Sequence, residues 1–409
     1  MVEQVMVTRR AAERVRAGHL WVYRSDVVGA GVAPGGLATV VDGRGIPLGT
    51  ALSSDASEIA LRMVSRHPGW ERADYLQDVR ARVEAAIRLR EVVAAEAFPG
   101  AAGVETNACR LAFSEADGLP GIVVDRYNEL AVVQLLIQGT AQQDVRRVMA
   151  EVLAEQPWVG TVVEREDARV RELERLGASP EGALFRREED TQTTTQTVFA
   201  INGLRFHFDA GAGQKTGAFL DQRLNYQAAA RWASGRALDV CTYQGGFALH
   251  LGRVCERVTG VDASRAALEV ADRNLELNAG AMRGRVDWIE ADAFELLQDF
   301  EAAGERFDTI MLDPPAFAKS KRAVEGAIRG YKELNLRALK MLAPGGTLVT
   351  CSCSHHVGME EFVAVVRAAA EDAGRWVQVL EMRGAAPDHP AILTLPETTY
   401  LKCLICRVG

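Results

Sequence analysis

From Arg236 to the C-terminus, short apolar runs alternate with helix-length stretches: RALDVC, VTGVDAS, VDWIEAD, FDTIMLD, TLVTCSCS and WVQVLEM, closed by TTYLKCLICRV. Few folds accommodate that rhythm. It predicts an α/β sheet with helices on both faces. In open sheets of this kind, ligands bind beyond the carboxyl ends of the strands, near the point where strand order reverses. The polar residues that end the runs are therefore the first candidates for a site.

Two of these endings carry chemistry. FDTIMLDPPAFAKSK ends its apolar run in Asp313-Pro314-Pro315, where proline has no N–H to continue a ladder and its φ is fixed. TLVTCSCS ends in two cysteines and two serines. If the two runs are neighbouring central strands, a carboxylate and a thiol face one cavity. Asp-Pro-Pro can bind the polar edge of a planar base while the rigid prolines hold the loop open. Amino-directed methyltransferases place an aromatic directly after the prolines; here Ala316 stands there and Phe317 follows it.

Asp239 to Gly246, DVCTYQGG, is a strand running into a glycine turn and a helix start, and includes Tyr243 and Gly245. Glycine lets backbone approach a ligand closely. Asp262, ending the next strand, can accept hydrogen bonds from both ribose hydroxyls of a nucleoside cofactor. Asp292, ending the third, is well placed for an adenine amino group. GxGxxG is absent, and the acidic surroundings suit a cationic sulfonium better than a pyrophosphate, which favours S-adenosylmethionine.

The rest of the chain precedes this sheet. At 409 residues it exceeds one typical domain. Residues 1–69 alternate β-type runs (LWVY, LATVV, PLGTAL, IALRMV) with glycine turns and predict a small β-barrel. Residues 70–190 open with a helix, then carry LAFSEADGLPGIVVDRY, LAVVQLLIQG, an amphipathic helix and TVVERE, an α+β unit. Residues 191–409 begin with TVFAINGLRFHF, whose Asn202-Gly203 is a strong hairpin signal. AGAGQKTGAFLDQRLNY follows, with Asp221 placed to cap a helix.

No apolar run resembles a leader or a membrane span, so a cytoplasmic location and no membrane partner are expected. Seven scattered cysteines do not form a disulfide framework. Cys403 and Cys406 are three apart in a strand and point to opposite faces, so no metal is expected there. The net charge of −8 argues mildly against nucleic acid, although Arg9, Arg10, Arg14, Arg16 and Arg24 cluster near the N-terminus.

Carbon 5 of a pyrimidine is a poor nucleophile. Adding a thiolate to carbon 6 makes it enamine-like and able to attack a methyl sulfonium. A free thiol is only a few per cent ionised at neutral pH, so an enzyme using it must lower its pKa or accept its proton during attack. Cys351 and Cys353, two apart, share a face if their strand continues.

These residues resemble a known family, the bacterial large-subunit ribosomal RNA 5-methylcytosine methyltransferases. GHLWV resembles its N-terminal PUA domain, EADGLPGIVVDRY its strand-strand-helix-strand-strand middle domain, and GQKTGAFLDQR, DPPAF, RGYKELN, CSCS and DHPAILTLPETTYLKCLICRV its Rossmann-like class I methyltransferase domain. The resemblance implies Cys353 as nucleophile, with Cys351 left to packing. It assigns Asp313 to the cytosine edge with Pro314 and Phe317 beside it, and Asp239, Tyr243, Gly245, Asp262 and Asp292 to S-adenosylmethionine. Gln222 and Arg223 would close over the cofactor, with Lys215 near the substrate.

Arg9 and Arg10 become candidate phosphate contacts for ribosomal RNA, joined by Lys319, Lys321, Arg322 and Arg329. Pro315-Ala316 stands where a related group has a second cysteine, so another base, such as water held by Asp313, must take the carbon-5 proton. A homodimer is compatible with a middle unit that has no other evident role. Two other functions compete. A methyltransferase acting on another base position predicts that Cys353→Ala stays active. A non-catalytic ribosome assembly factor predicts RNA binding without methyl transfer.

Overall fold

The computed structural model describes residues 3–29, 32–97, 106–187, 195–211, 218–318 and 321–409. The C-terminal half holds a seven-stranded sheet. Its spatial order is Arg285–Glu290, Arg257–Asp262, Arg236–Val240, Phe307–Leu312, Leu342–Ser352, Lys402–Val408 and Val377–Arg383. Lys402–Val408 runs antiparallel to both its neighbours, while the other strand pairs are parallel. The chain builds outward from Arg236–Val240 in one direction, then crosses over to lay Phe307–Leu312 on the other side. That reversal places the topological switch between the strands ending in Val240 and Leu312, which pair in register.

Both faces are apolar, as a helix-covered parallel sheet requires. Ala237, Met311, Val349, Cys351, Cys403 and Ile405 enter one core. Leu238, Val240, Ile310, Leu312, Leu348, Leu404 and Cys406 enter the other. The period-two alternation therefore puts Cys403 and Cys406 on opposite faces. The first core continues into the hairpin Gln196–Ile201/Leu204–Asp209, whose Asn202 and Gly203 have φ of 52° and 78°. Both positive angles are what a type I′ turn demands. Phe208 of this hairpin stacks on Tyr127 of the middle unit at 3.9 Å, so one core binds hairpin, platform and sheet together.

The middle unit is a five-stranded sheet, ordered Ala183–Arg186, Thr161–Glu164, Leu130–Leu135, Ile122–Tyr127 and Ala108–Phe113. It is covered by the helices Arg72–Ala97 and Gln143–Ala154. LAFSEADGLPGIVVDRY, read as one strand-like run, splits in two, because Gly118 and Gly121 both take positive φ and fold the chain back. Three strands therefore precede the crossover helix. The N-terminal sheet has six strands, and its edge strands Trp21–Tyr23 and Val27–Val28 are joined by the short turn Arg24–Asp26. So brief a link forces the sheet to curl until its edges meet. One helix, Arg9–Arg16, packs Ala11, Ala12 and Val15 into the barrel core. Among the described residues, no helix is long and apolar enough to cross a membrane.

Candidate functional site

A cleft of about 1240 Å³ opens at the carboxyl ends of the central strands. Its lining includes Phe219, Asp221, Gln222, Tyr243, Asp262, Asp292, Asp313, Pro314, Phe317, Cys353 and Leu401. Small-molecule pockets span roughly 300–1,000 Å³, so this cleft has room for a nucleoside cofactor and part of a second substrate.

One side is built by the turn after Arg236–Val240. Cys241, Tyr243 and Gly245 take φ of 63°, 51° and 85°. Non-glycine residues seldom hold such angles, and they gather at ligand sites. Asp262 fixes the turn: its Oδ2 accepts from Tyr243 N and its Oδ1 from Ser264 N, both at 2.9 Å. Asp292 caps the helix Ala293–Ala302 by accepting from Phe294 N and Glu295 N, both on Oδ1. Asp209, Asp221, Asp262, Glu269, Asp292 and Asp313 line the cleft, against Arg273 among the described arginines and lysines. This donor set fits S-adenosylmethionine: carboxylates for hydroxyl and amino groups, and a negative field for a sulfonium.

The other side carries the thiol. Phe307–Leu312 and Leu342–Ser352 end together, and Asp313 and Cys353 follow them into the cleft. Gln222 Nε2 donates to Asp313 Oδ2 at 3.0 Å, and Cys353 Sγ donates to the Pro314 carbonyl at 3.9 Å. Ser354 Oγ, fully buried, accepts from Ala318 N at 3.2 Å and bonds the Tyr331 hydroxyl at 2.9 Å. The CSCS turn is thus tied to the loop after the prolines and to the helix Val324–Met341. Phe317 packs on Tyr331 with ring centroids 4.8 Å apart while still lining the cleft.

Three thiols lie near these strand ends, and the structure separates them. Burial, reinforced by Asp262 and Asp313, pushes the Cys241 thiol well up. Burial and the facing Cys403 do the same for Cys351, which is fully enclosed. The strand stops at Ser352, so Cys351 and Cys353 do not share a face. Cys241 and Cys353 both follow their strands and line the cleft, but burial and the two carboxylates keep the Cys241 thiol protonated.

Several expected site residues lie elsewhere. Asp239 is fully buried and does not line the cleft; Thr242 Oγ1 donates to its Oδ2 at 2.5 Å, and burial raises its pKa to about 7. Gly245 is the N-cap of the helix Gly246–Gly252 and faces Trp288. Arg223 is buried with Nη2 3.5 Å from Asp388, directed to the seam with the middle unit rather than into the cleft. Lys215, Lys319 and the side chain of Lys321 lie outside the described residues.

Arg9 and Arg10 sit on the barrel helix, where Arg9 pairs with Glu13 and Arg10 with Asp26. Arg14 and Arg16 pair with Asp26 and Asp42, so this arginine face is largely neutralised in place. Asp221 does not cap a helix: its Oδ2 accepts the Tyr400 hydroxyl at 2.6 Å. The sequence alone reads Asp221 only as a helix cap and assigns neither it nor Lys402 to the site. For Lys402 a signal existed, since a lysine inside an apolar strand is rarely buried without a reason. Among the described residues, no group of three or more His, Cys, Asp and Glu is placed to hold a metal ion.

Residues 178–405 match the S-adenosylmethionine-dependent methyltransferase family, and residues 5–66 match the PUA-like domain family. The chain is 35% identical to "Ribosomal RNA large subunit methyltransferase I" of Photobacterium profundum, covering 100% of both chains. It is 40% identical to the protein of that name from Aeromonas hydrophila, over 73% of this chain and 74% of that one. Among solved structures, a protein described as a methyltransferase complexed with SAH superposes with a TM-score of 0.80 at 17% identity, covering 100% of both chains. A SAM-dependent methyltransferase from Streptococcus mutans gives 0.80 at 16%, again over 100% of both.

Proposed function

Because the chain belongs to the S-adenosylmethionine-dependent methyltransferases, in the family of ribosomal RNA large subunit methyltransferase I, we propose that it methylates carbon 5 of a cytosine in large-subunit ribosomal RNA through a covalent adduct on Cys353. The observation that carries this reading is the juxtaposition of Cys353 and Asp313 at adjacent strand ends in one cleft. Methylation of an amino group or ring nitrogen needs no thiol at that place.

When bound, the cofactor supplies an electrophilic methyl group on a sulfonium. Asp262 would hold its ribose and Asp292 its adenine, and the surrounding carboxylates would favour its positive charge. Asp313, oriented by Gln222, accepts from the amino edge of the cytosine while Pro314 and Phe317 bound the pocket. The Cys353 thiolate adds to carbon 6, forming a C–S bond and moving electron density onto carbon 5, which takes the methyl group as the bond from methyl to sulfonium sulfur breaks and leaves a neutral thioether. A water held by Asp313 takes the carbon-5 proton, the C–S bond breaks and the thiolate returns. Because a paired base hides carbon 6 in the stack, the target is single-stranded or extruded.

The division into units 1–69, 70–190 and 191–409 belongs to this reading, with the PUA-like barrel holding RNA backbone and the cleft selecting the base. So does a homodimer, which the light-scattering mass in solution tests. The decisive experiment is nucleoside mass spectrometry of ribosomal RNA incubated with the protein and methyl-labelled S-adenosylmethionine, beside a Cys353→Ala sample. Label in 5-methylcytidine that the variant loses supports the mechanism. Label in another nucleoside, surviving in the variant, overturns it.

A further inference from the structure

Lys402 is buried at 3% exposure in the last strand of the sheet. Its Nζ donates to the carbonyl oxygens of Ser354, at 2.6 Å, and Tyr400, at 2.7 Å. Both acceptors are neutral, and among the described residues Lys402 forms no salt bridge. A buried ammonium without a counter-anion is costly, and burial indeed pulls its pKa down to about 8. Something must make that cost worth keeping.

The position of the ammonium indicates what. Lys402 pairs with Ser352 in register, and its ammonium reaches past that residue to the carbonyl of Ser354. It therefore lies beside the turn that carries Cys353. The charge interactions on Lys402 are with Cys353 and with Glu361 of the helix Met359–Ala373. Among the described groups around the thiol are Tyr331, Tyr400, Asp221 and Asp313, neutral phenols or carboxylates, with the His355 ring 5.4 Å from that of Tyr400. Carboxylates oppose formation of a thiolate. Arg273, the described arginine of the cleft wall, stands beside His207 on the hairpin side.

We propose that Lys402 is the buried counter-cation of the Cys353 thiolate, a positioning residue that readies the nucleophile without touching the substrate. The assignment rests on the reading of Cys353 as nucleophile. Ionisation releases the thiol proton to solvent, while Lys402 keeps its own proton and its two carbonyl bonds. The coupling is reciprocal: a thiolate favours the ammonium, and the ammonium favours the thiolate.

The test is the pH dependence of Cys353 alkylation in the full chain, without RNA or cofactor. Iodoacetamide is the probe, and peptide mass spectrometry reads the site. The expected inflection lies below the free-thiol value of about 8.5. Lys402→Met should raise it by about one pH unit, which slows alkylation near neutral pH about tenfold, and Lys402→Arg should keep most of the wild-type rate. A wild-type inflection at the free-thiol value or above overturns the proposal with no variant needed, so a misfolded Lys402→Met leaves it testable. An unchanged inflection in a folded Lys402→Met that has lost methylation also overturns it, reducing Lys402 to a brace for the turn. Methylation surviving in Cys353→Ala would instead sink the nucleophile reading, and the alkylation profile distinguishes the two failures.

Discussion

The Cys353 thiol lies 3.9 Å from the carbonyl oxygen of Pro314. The contact spans the gap between neighbouring parallel strands. Leu312 pairs with Thr350, so the residues after each strand leave the sheet side by side. Proline cannot return an N–H to that ladder, and its carbonyl remains available to orient the thiol.

Removing the nucleophile should separate chemistry from binding. Cys353→Ala is expected to lower methyl transfer by more than about a thousandfold, since the other thiol of the cleft lining, Cys241, is held protonated by burial and by Asp262 and Asp313. Cofactor affinity should change less than about threefold, because Cys353 sits on the opposite side of the cleft from Asp262. Single-turnover assays and calorimetric titration with S-adenosylhomocysteine read the two effects.

Asp262→Ala should do the reverse. It removes the carboxylate assigned to the ribose and releases Tyr243 N and Ser264 N, which both donate to it. Charge-assisted hydrogen bonds contribute about 1.5–3 kcal/mol, so the cofactor Kd should rise about 10- to 100-fold. The same titration checks it, with the melting curve of the cofactor-free variant as control.

His250 makes stability fall on acidification. Its Nδ1 donates to Gly246 O at 2.7 Å and its Nε2 accepts from Asn202 Nδ2 at 3.1 Å, so the ring is neutral. Burial lowers its pKa to about 4, against about 6.5 in an unfolded chain. The unfolded state therefore binds the proton first. The contribution is intact above about pH 6.5 and lost as pH falls toward 4, on the order of 3 kcal/mol in all. Urea unfolding at neutral and acidic pH should show a smaller loss for His250→Gln than for wild type.

Asp388 secures the seam between the platform and the catalytic sheet. Its Oδ2 accepts from Arg110 N at 3.0 Å and lies 3.5 Å from Arg223, its Oδ1 is 3.1 Å from His389, and its carbonyl accepts from Arg90 at 2.9 Å. Burial would raise its pKa, but His389, Arg223 and the Arg110 N–H outweigh it and hold the carboxyl at about 2. Asp388→Ala removes the carboxylate of a buried ion pair and should cost about 3–5 kcal/mol. Denaturant unfolding measures it.

The sequence exposed what is local. Asp262, Asp292 and Asp313 were legible because each follows a short apolar run, and the Asn202-Gly203 turn because its backbone angles suit few other residues. Partners distant in sequence stayed hidden. Asp221 resembles a helix cap until Tyr400, 179 positions away, takes its carboxylate. Arg9 and Arg10 look like unpaired cations until Glu13 and Asp26 are seen beside them. Asp239 stands at a cofactor position by spacing, yet the parity of its strand turns it into the interior.

The Asp388 seam also bears on inheritance. Arg90 and Arg110 come from the platform, Arg223 and Asp388 from the catalytic half, and hydrogen bonds from Arg90 Nη2 and Arg110 N to Asp388 tie the halves together. A recombination that joined this catalytic half to a foreign platform would take the Arg110 N–H from the buried Asp388 carboxylate and Arg90 from its carbonyl, while both arginines kept their platform carboxylates, Asp125 and Asp117. A chimera built at this boundary keeps its seam only where the foreign platform offers donors to the loop around Asp388.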